Sequence, residues 1–167
     1  MSHEPDYDNP PIRVLGLGSD NGVDQLGFLA AQRLATGGFA THYPEYPVDI
    51  SICPSPALLA ARYLPARALI LIDAWHCEQP AGTVRRISLD EIASVQRPTS
   101  SHGLDLRQAL ELCLSLEEEI LPVPVIGIST GAGQYETRAP LDILETCFPA
   151  LQDIIDQQIR ELLRPVS

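Results

Sequence analysis

The sequence predicts an α/β fold: a three-layer αβα sandwich around a mostly parallel, twisted sheet of about five strands. Three observations carry that expectation. Apolar runs at residues 12–18, 68–73 and 123–129 are short, flanked by Gly, Pro or polar turns, and apolar on both faces, as parallel strands between helical layers are. Stretches with apolar residues at helical spacing lie between them. The alternation of the two patterns selects α/β over segregated classes.

The chain has 167 residues, 45% hydrophobic and 20% charged, which suits one domain able to bury a real core. We read residues 1–11 as a polar, proline-bearing tail and residues 12–167 as a single domain. Eleven arginines and no lysine stand against 22 Asp+Glu, for a formal net charge of −11. So acidic a surface disfavours nucleic acid and anionic lipid and attracts basic patches. Lysine-based chemistry, such as a Schiff base or a P-loop, is excluded. No apolar run approaches the roughly 20 residues of a membrane span, and the acidic N-terminus is unlike a signal peptide. Cys53, Cys77, Cys113 and Cys147 lack C-x-x-C spacing and are expected to be reduced core thiols in a cytoplasmic protein.

In chain order, the strand at 12–18 ends in glycines and turns through Ser19-Asp20-Asn21-Gly22. Val23, Leu26, Ala30 and Leu34 then predict a helix over 22–36, closed by Gly37-Gly38. Residues 39–46 have extended character and predict a second strand, and Pro54-Ser55-Pro56 opens a short helix through Tyr63. The clearest strand, 68–73, ends at Asp73, and 83–87 predicts an edge strand. A polar loop, 98–101, leads to His102, after which Asp105 and Gln108 have capping-box spacing for a helix burying Leu106, Ala109, Leu110, Cys113 and Leu116. The strand at 123–129 runs into Gly131-Ala132-Gly133, read as a plain loop without P-loop pattern, and Glu117-Glu118-Glu119 as a solvated face. Pro140 and Pro149 each suit a first helical position in the C-terminal region.

Ligands of such folds sit beyond the carboxyl ends of the strands, where Asp20, Asp24, Gln25, Asp73 and His102 gather. Singly, each has an ordinary structural reading. Asp24 favours a helix N-terminus, Asp73 can bond local amides, and His102 can be a hydrogen-bonded surface histidine.

Their order along the chain is more specific. Gly16-Leu17-Gly18, Asp24-Gln25, Ile70-Leu71-Ile72-Asp73-Ala74, Pro80-Ala81-Gly82-Thr83 and Ser100-Ser101-His102 follow one another at spacings that resemble the hydrogenase maturation endopeptidases. These proteases trim the C-terminal extension from the large subunit of nickel–iron hydrogenases. By element order the resemblance spans residues 12–163. It implies an αβα domain with three metal-contacting groups: an acid early in the first helix, an Asp ending the central strand, and a His. Asp73 and His102 match the last two and take the catalytic roles. Gln25 falls where the family has its metal-binding carboxylate, and Asp24 matches the acid before it. Gln25 could bind through its amide oxygen, or Asp24 or Asp20 could replace it, or the site could have lost its activity. The resemblance also places Trp75, His76 and Thr83 where substrate is contacted, with His76 a further candidate metal ligand.

The implied function is an aspartic-type endopeptidase acting on a nickel-loaded large subunit precursor, with the nickel supplied by the substrate and read as the recognition element. Nickel suits imidazole and carboxylate ligands, and an incomplete protein set leaves positions for substrate groups. No Ser or Cys nucleophile is implied. The alternative is a non-catalytic relative that binds such a precursor or metal centre without cleaving it, and an α/β hydrolase for a small molecule stands third. The partner expected is the precursor, with the chain itself a monomer.

Overall fold

Ala68–Trp75 forms β3, the strand around which the rest assembles, with all eight residues buried. The computed structural model describes residues 8–19, 22–63, 65–94, 106–116, 121–131 and 138–164. In order come β1 (Ile12–Leu17), α1 (Leu26–Thr36), β2 (Val48–Cys53), α2 (Leu59–Tyr63), β3, β4 (Val84–Ile87), α3 (Leu89–Ser94), α4 (Leu106–Leu116), β5 (Val125–Ser129) and α5 (Pro140–Leu163). The sheet has five strands in the order β2-β1-β3-β5-β4, parallel except for the antiparallel pair β4–β5. The period-2 alternation of the strands divides the core in two. Ile70, Ile72 and Ala74 pack with Leu34 of α1 and Leu151 and Ile155 of α5. Leu69, Leu71 and Trp75 pack with residues of α2, α3 and α4 on the other face. Each fully buried Leu or Ile contributes about 1.5–3 kcal/mol, so a strand feeding both layers fixes both.

The predicted αβα sandwich is the observed one, with corrections in detail. Residues 39–46 are not a strand: Phe39–His42 is a 3₁₀ turn after the left-handed Gly38, and the second strand is β2. Phe39 and Tyr43 both put their rings into the α5-side core from this turn. β2 was masked in the sequence by its position at the sheet edge, where only Cys53 is fully buried. The central strand runs two residues past Asp73, and the helix α3 was not predicted. Pro149 does not begin a helix but lies inside α5. It forfeits one backbone hydrogen bond, yet Ile143, Leu144 and Cys147 before it and Leu151, Ile155 and Ile159 after it share one buried stripe. Arg33 of α1 holds the turn just before it, bonded to Glu145 at 2.8 Å and stacked 4.1 Å over the Phe148 ring. Cys53, Cys113 and Cys147 are buried outside any disulfide, as expected of reduced core thiols, but Cys77 is only half-buried. Among the described residues no helix is long and apolar enough to cross a membrane.

The second half of α5 is tied down by Tyr43, whose hydroxyl donates to Asp156, itself paired with Arg160 at 2.6 Å. Burial first, and the Asp156 carboxylate second, push the Tyr43 phenol above its ordinary value. The folded chain therefore keeps this proton when the unfolded chain has lost it. The stabilisation is complete below about pH 10 and declines above it. Tyr43→Phe is expected to cost about 1–2 kcal/mol at pH 7 and to flatten the decline in stability above pH 10, read by urea unfolding at the two pH values.

Candidate functional site

Helix α1 leaves β1 on one face of the sheet and α2 returns to β3 on the other, so the β1–β3 boundary is the topological switch point of this sheet. In sheets of this class ligands bind at that point, outside the carboxyl ends of the strands. The segment after β1 lies on one side of it and the segment after β3 on the other.

Three glycines bring the first of these segments close. A Cβ on Gly27 would stand 2.0 Å from the Leu17 carbonyl oxygen and 2.6 Å from that of Ile72. One on Gly16 would stand 2.1 Å from the Gly27 oxygen, and one on Gly18, at φ +150°, 2.1 Å from the Asp24 oxygen. No side chain larger than hydrogen fits these contacts. The start of α1 therefore rests on the ends of β1 and β3, and the 3₁₀ turn Gly22–Gln25 lies over the switch point, Ser19 N–H donating to the Asp24 carbonyl at 3.4 Å.

Asp24 and His76 stand side by side at this end of the sheet, with Asp24 Oδ1 3.7 Å from His76 Nε2 and both side chains more than half exposed. The other ring nitrogen, His76 Nδ1, is 2.6 Å from the Thr130 hydroxyl. Thr130 is buried at the end of β5, and its backbone N–H donates to the Trp75 carbonyl at 3.0 Å. Gln25 closes the 3₁₀ turn and is half-buried. Asp73 is 7% exposed, paired in register with Gly127, so no side chain stands beside it on β5. By strand alternation Asp73 is on the face of Leu71 and Trp75.

Ser129 organises the floor behind His76. Its hydroxyl donates to the Gln79 carbonyl at 2.8 Å and accepts from Gly131 N–H at 3.1 Å and from the Cys77 thiol at 3.3 Å. Its backbone exchanges 2.8 Å bonds with Gly82 and Thr83. The Thr83 hydroxyl donates to the Pro80 carbonyl at 2.7 Å, closing the Pro-Ala-Gly-Thr turn around Gly82 at φ +86°. Arg85 extends the network, bonding Gln79 at 3.1 Å and Glu91 at 2.7 Å. The Arg85 hydrogen bond, then the Ser88 N–H, hold the Glu91 carboxyl down to about 2. Trp75 is buried in the second core, 6% exposed.

Of the sequence-predicted residues, the structure brings Asp24 and His76 together and sets Gln25 and Asp73 on neighbouring elements at the same end of the sheet. His102, Asp20 and Asp105 lie outside the described residues. Among the described residues no three His, Cys, Asp or Glu side chains cluster closely enough to hold one metal ion. Sequence reasoning missed Gly27, Ser129 and Thr130. Two hydroxyl residues closing an otherwise apolar strand were the available signal for the last two.

No family model matches the chain, and no curated protein does. Solved structures do. A hydrogenase 3 maturation protease is 25% identical, at a TM-score of 0.58 over 84% of this chain and 88% of its own. The maturation protease HycI of Thermococcus kodakarensis is 20% identical, at 0.59 over 89% and 91%. The maturating endopeptidase HybD of Escherichia coli is 17% identical, at 0.62 over 90% and 93%. The chain has the fold of these proteins along nearly its whole length.

If the glycine contacts set the site, Gly27→Ala must push α1 off the strand ends. We expect a loss of about 1–3 kcal/mol in urea unfolding. An unchanged midpoint would mean that α1 does not rest on Leu17 and Ile72 as described.

Proposed function

We propose that this structural relative of the hydrogenase maturation proteases is itself an endopeptidase, one that removes the C-terminal extension of a nickel-loaded nickel–iron hydrogenase large subunit precursor. What carries the reading is a coincidence. The five motifs that resemble the family occur in its order, and the fold over 84% of the chain is that of a hydrogenase 3 maturation protease at 25% identity.

The chemistry follows from the groups the chain offers. Nickel is part of the substrate, held by the precursor's own ligands. The Asp73 carboxylate and the His102 imidazole supply the donor types that complete its coordination, so that only a metal-loaded precursor is retained. The same two groups can take and return the proton of an attacking water, the work of a general base and acid. His76 and Thr83 belong to the β3–β4 segment against which the extension would lie, while Trp75, buried in the second core, supports that segment from within. Gln25, a neutral amide where the family has a carboxylate, favours a second reading, a binder that recognises the precursor without cutting it. Under either reading the chain acts as a cytoplasmic monomer.

The test is incubation of the purified chain with nickel-loaded precursor and mass spectrometry of the product. Loss of a C-terminal peptide is expected. A stable complex with the precursor's mass intact would establish the binder instead. Asp73→Asn and His102→Ala are each expected to slow processing at least about 100-fold with the unfolding midpoint nearly unchanged. A wild-type rate in either variant removes that residue from the mechanism.

A further inference from the structure

Arg85 decides which end of the Gln79 side chain is left for a ligand. A guanidinium donates hydrogen bonds and accepts none, so Arg85 Nε, 3.1 Å from the Gln79 carboxamide, meets the oxygen of that group. A second guanidinium nitrogen of Arg85 is bonded to Glu91 at 2.7 Å. Glu91 is itself fixed. Its carboxylate accepts from the Ser88 N–H at 2.9 Å and its own N–H donates to the Ser88 hydroxyl at 3.1 Å, the reciprocal pair that opens α3. A planar fork with two engaged nitrogens thus holds Gln79 Oε1 from a helix end. The main chain of Gln79 is held as well, its carbonyl accepting from the Ser129 hydroxyl at 2.8 Å.

What remains of Gln79 is the carboxamide NH2 group, which has no hydrogen-bond partner among the described residues. The residue is exposed, three positions beyond His76 in the segment against which the extension would lie. Residues 76–80 bury no large apolar side chain: Cys77 is half-buried and the other four are exposed. This segment therefore offers a passing chain polar contacts and no apolar pocket. A donor fixed in orientation and open to solvent matches the carbonyl oxygens of a peptide main chain. We infer that Gln79 is a substrate-recognition residue whose NH2 group donates to a main-chain carbonyl of the precursor's extension, with Arg85 as its positioning residue. The inference rests on the proposed reading of that precursor as the substrate. The placement of the amide by Arg85 and Ser129 does not.

The test compares precursor processing by the full chain and three variants. Gln79→Glu keeps an oxygen for Arg85 but turns the free donor into an acceptor. Gln79→Ala removes both, and Arg85→Met leaves the amide free to turn. KM is expected to rise about tenfold in Gln79→Glu and about fivefold in the other two, with kcat within about twofold, because a contact made equally in the ground and transition states is lost. If the chain retains the precursor without cutting it, Kd replaces KM with the same expected factors. The positioning role is read without precursor, from ¹⁵N relaxation of the Gln79 NH2 group. That group should be ordered in the wild type and mobile on the fast timescale in Arg85→Met, at a nearly unchanged urea midpoint. A wild-type KM in Gln79→Glu overturns the recognition role. Equal order of the Gln79 NH2 group in Arg85→Met overturns the positioning role. A wild-type chain that neither cuts nor retains the precursor overturns instead the reading of the substrate, and the recognition role with it, while the relaxation result still decides Arg85.

Discussion

The contact of α1 with the carboxyl ends of β1 and β3 is the constraint on which the rest of the site depends. Helix and sheet meet there backbone to backbone, because Gly16, Gly18 and Gly27 each occupy a place where a Cβ would sit about 2 Å from a carbonyl oxygen. Contact of that kind is stiff, since no side chain rotamer can absorb a shift. The turn carrying Asp24 and Gln25 inherits the stiffness and cannot drift from the strand ends. A helix packed through leucines would stand further out and leave the turn free to move away from the β3–β4 segment.

The opposite side is held by hydrogen bonds in place of packing. Ser129 ties the segment after β3 to the end of β5 through both its hydroxyl and its backbone, and Arg85 carries the tie onward to α3. The antiparallel edge strand β4 belongs to the same device, since the chain must double back beside β5 to place Gly82 and Thr83 against Ser129. One side rests on close contact and the other on polar bonds. The side chains that stand together there, Asp24 and His76, are more than half exposed. Rigid backing of this kind holds the exposed groups in fixed positions.

Much of this was legible in the residues. The apolar run 68–72 announces the central strand, and the order of glycines, acids and the Pro-Ala-Gly-Thr turn announces the fold. What misled was local. Residues 39–46 have strand-forming aromatics, but the left-handed Gly38 turns the chain into a 3₁₀ segment from which Phe39 and Tyr43 pack into the core, and tertiary context overrode the propensity. Pro149 signals a helix start to any local rule, yet it sits where the buried stripe on both sides and the Arg33 contacts outweigh one missing backbone bond. Gly27 and Thr130 were illegible for a different reason. Their roles exist only once α1 and β5 lie beside β1 and β3, and nothing adjacent in sequence declares that neighbourhood.

A net −11 distributed over a small domain draws cations to its surface and holds anions off. Gln25 adds no charge at this end of the sheet, but Asp24 keeps a carboxylate there, beside the His76 imidazole. A field of this sign favours a basic surface over an acidic peptide. The backbones of Asp24 and His76 are held by close contact on one side and hydrogen bonds on the other, so their exposed side chains stand out from fixed positions.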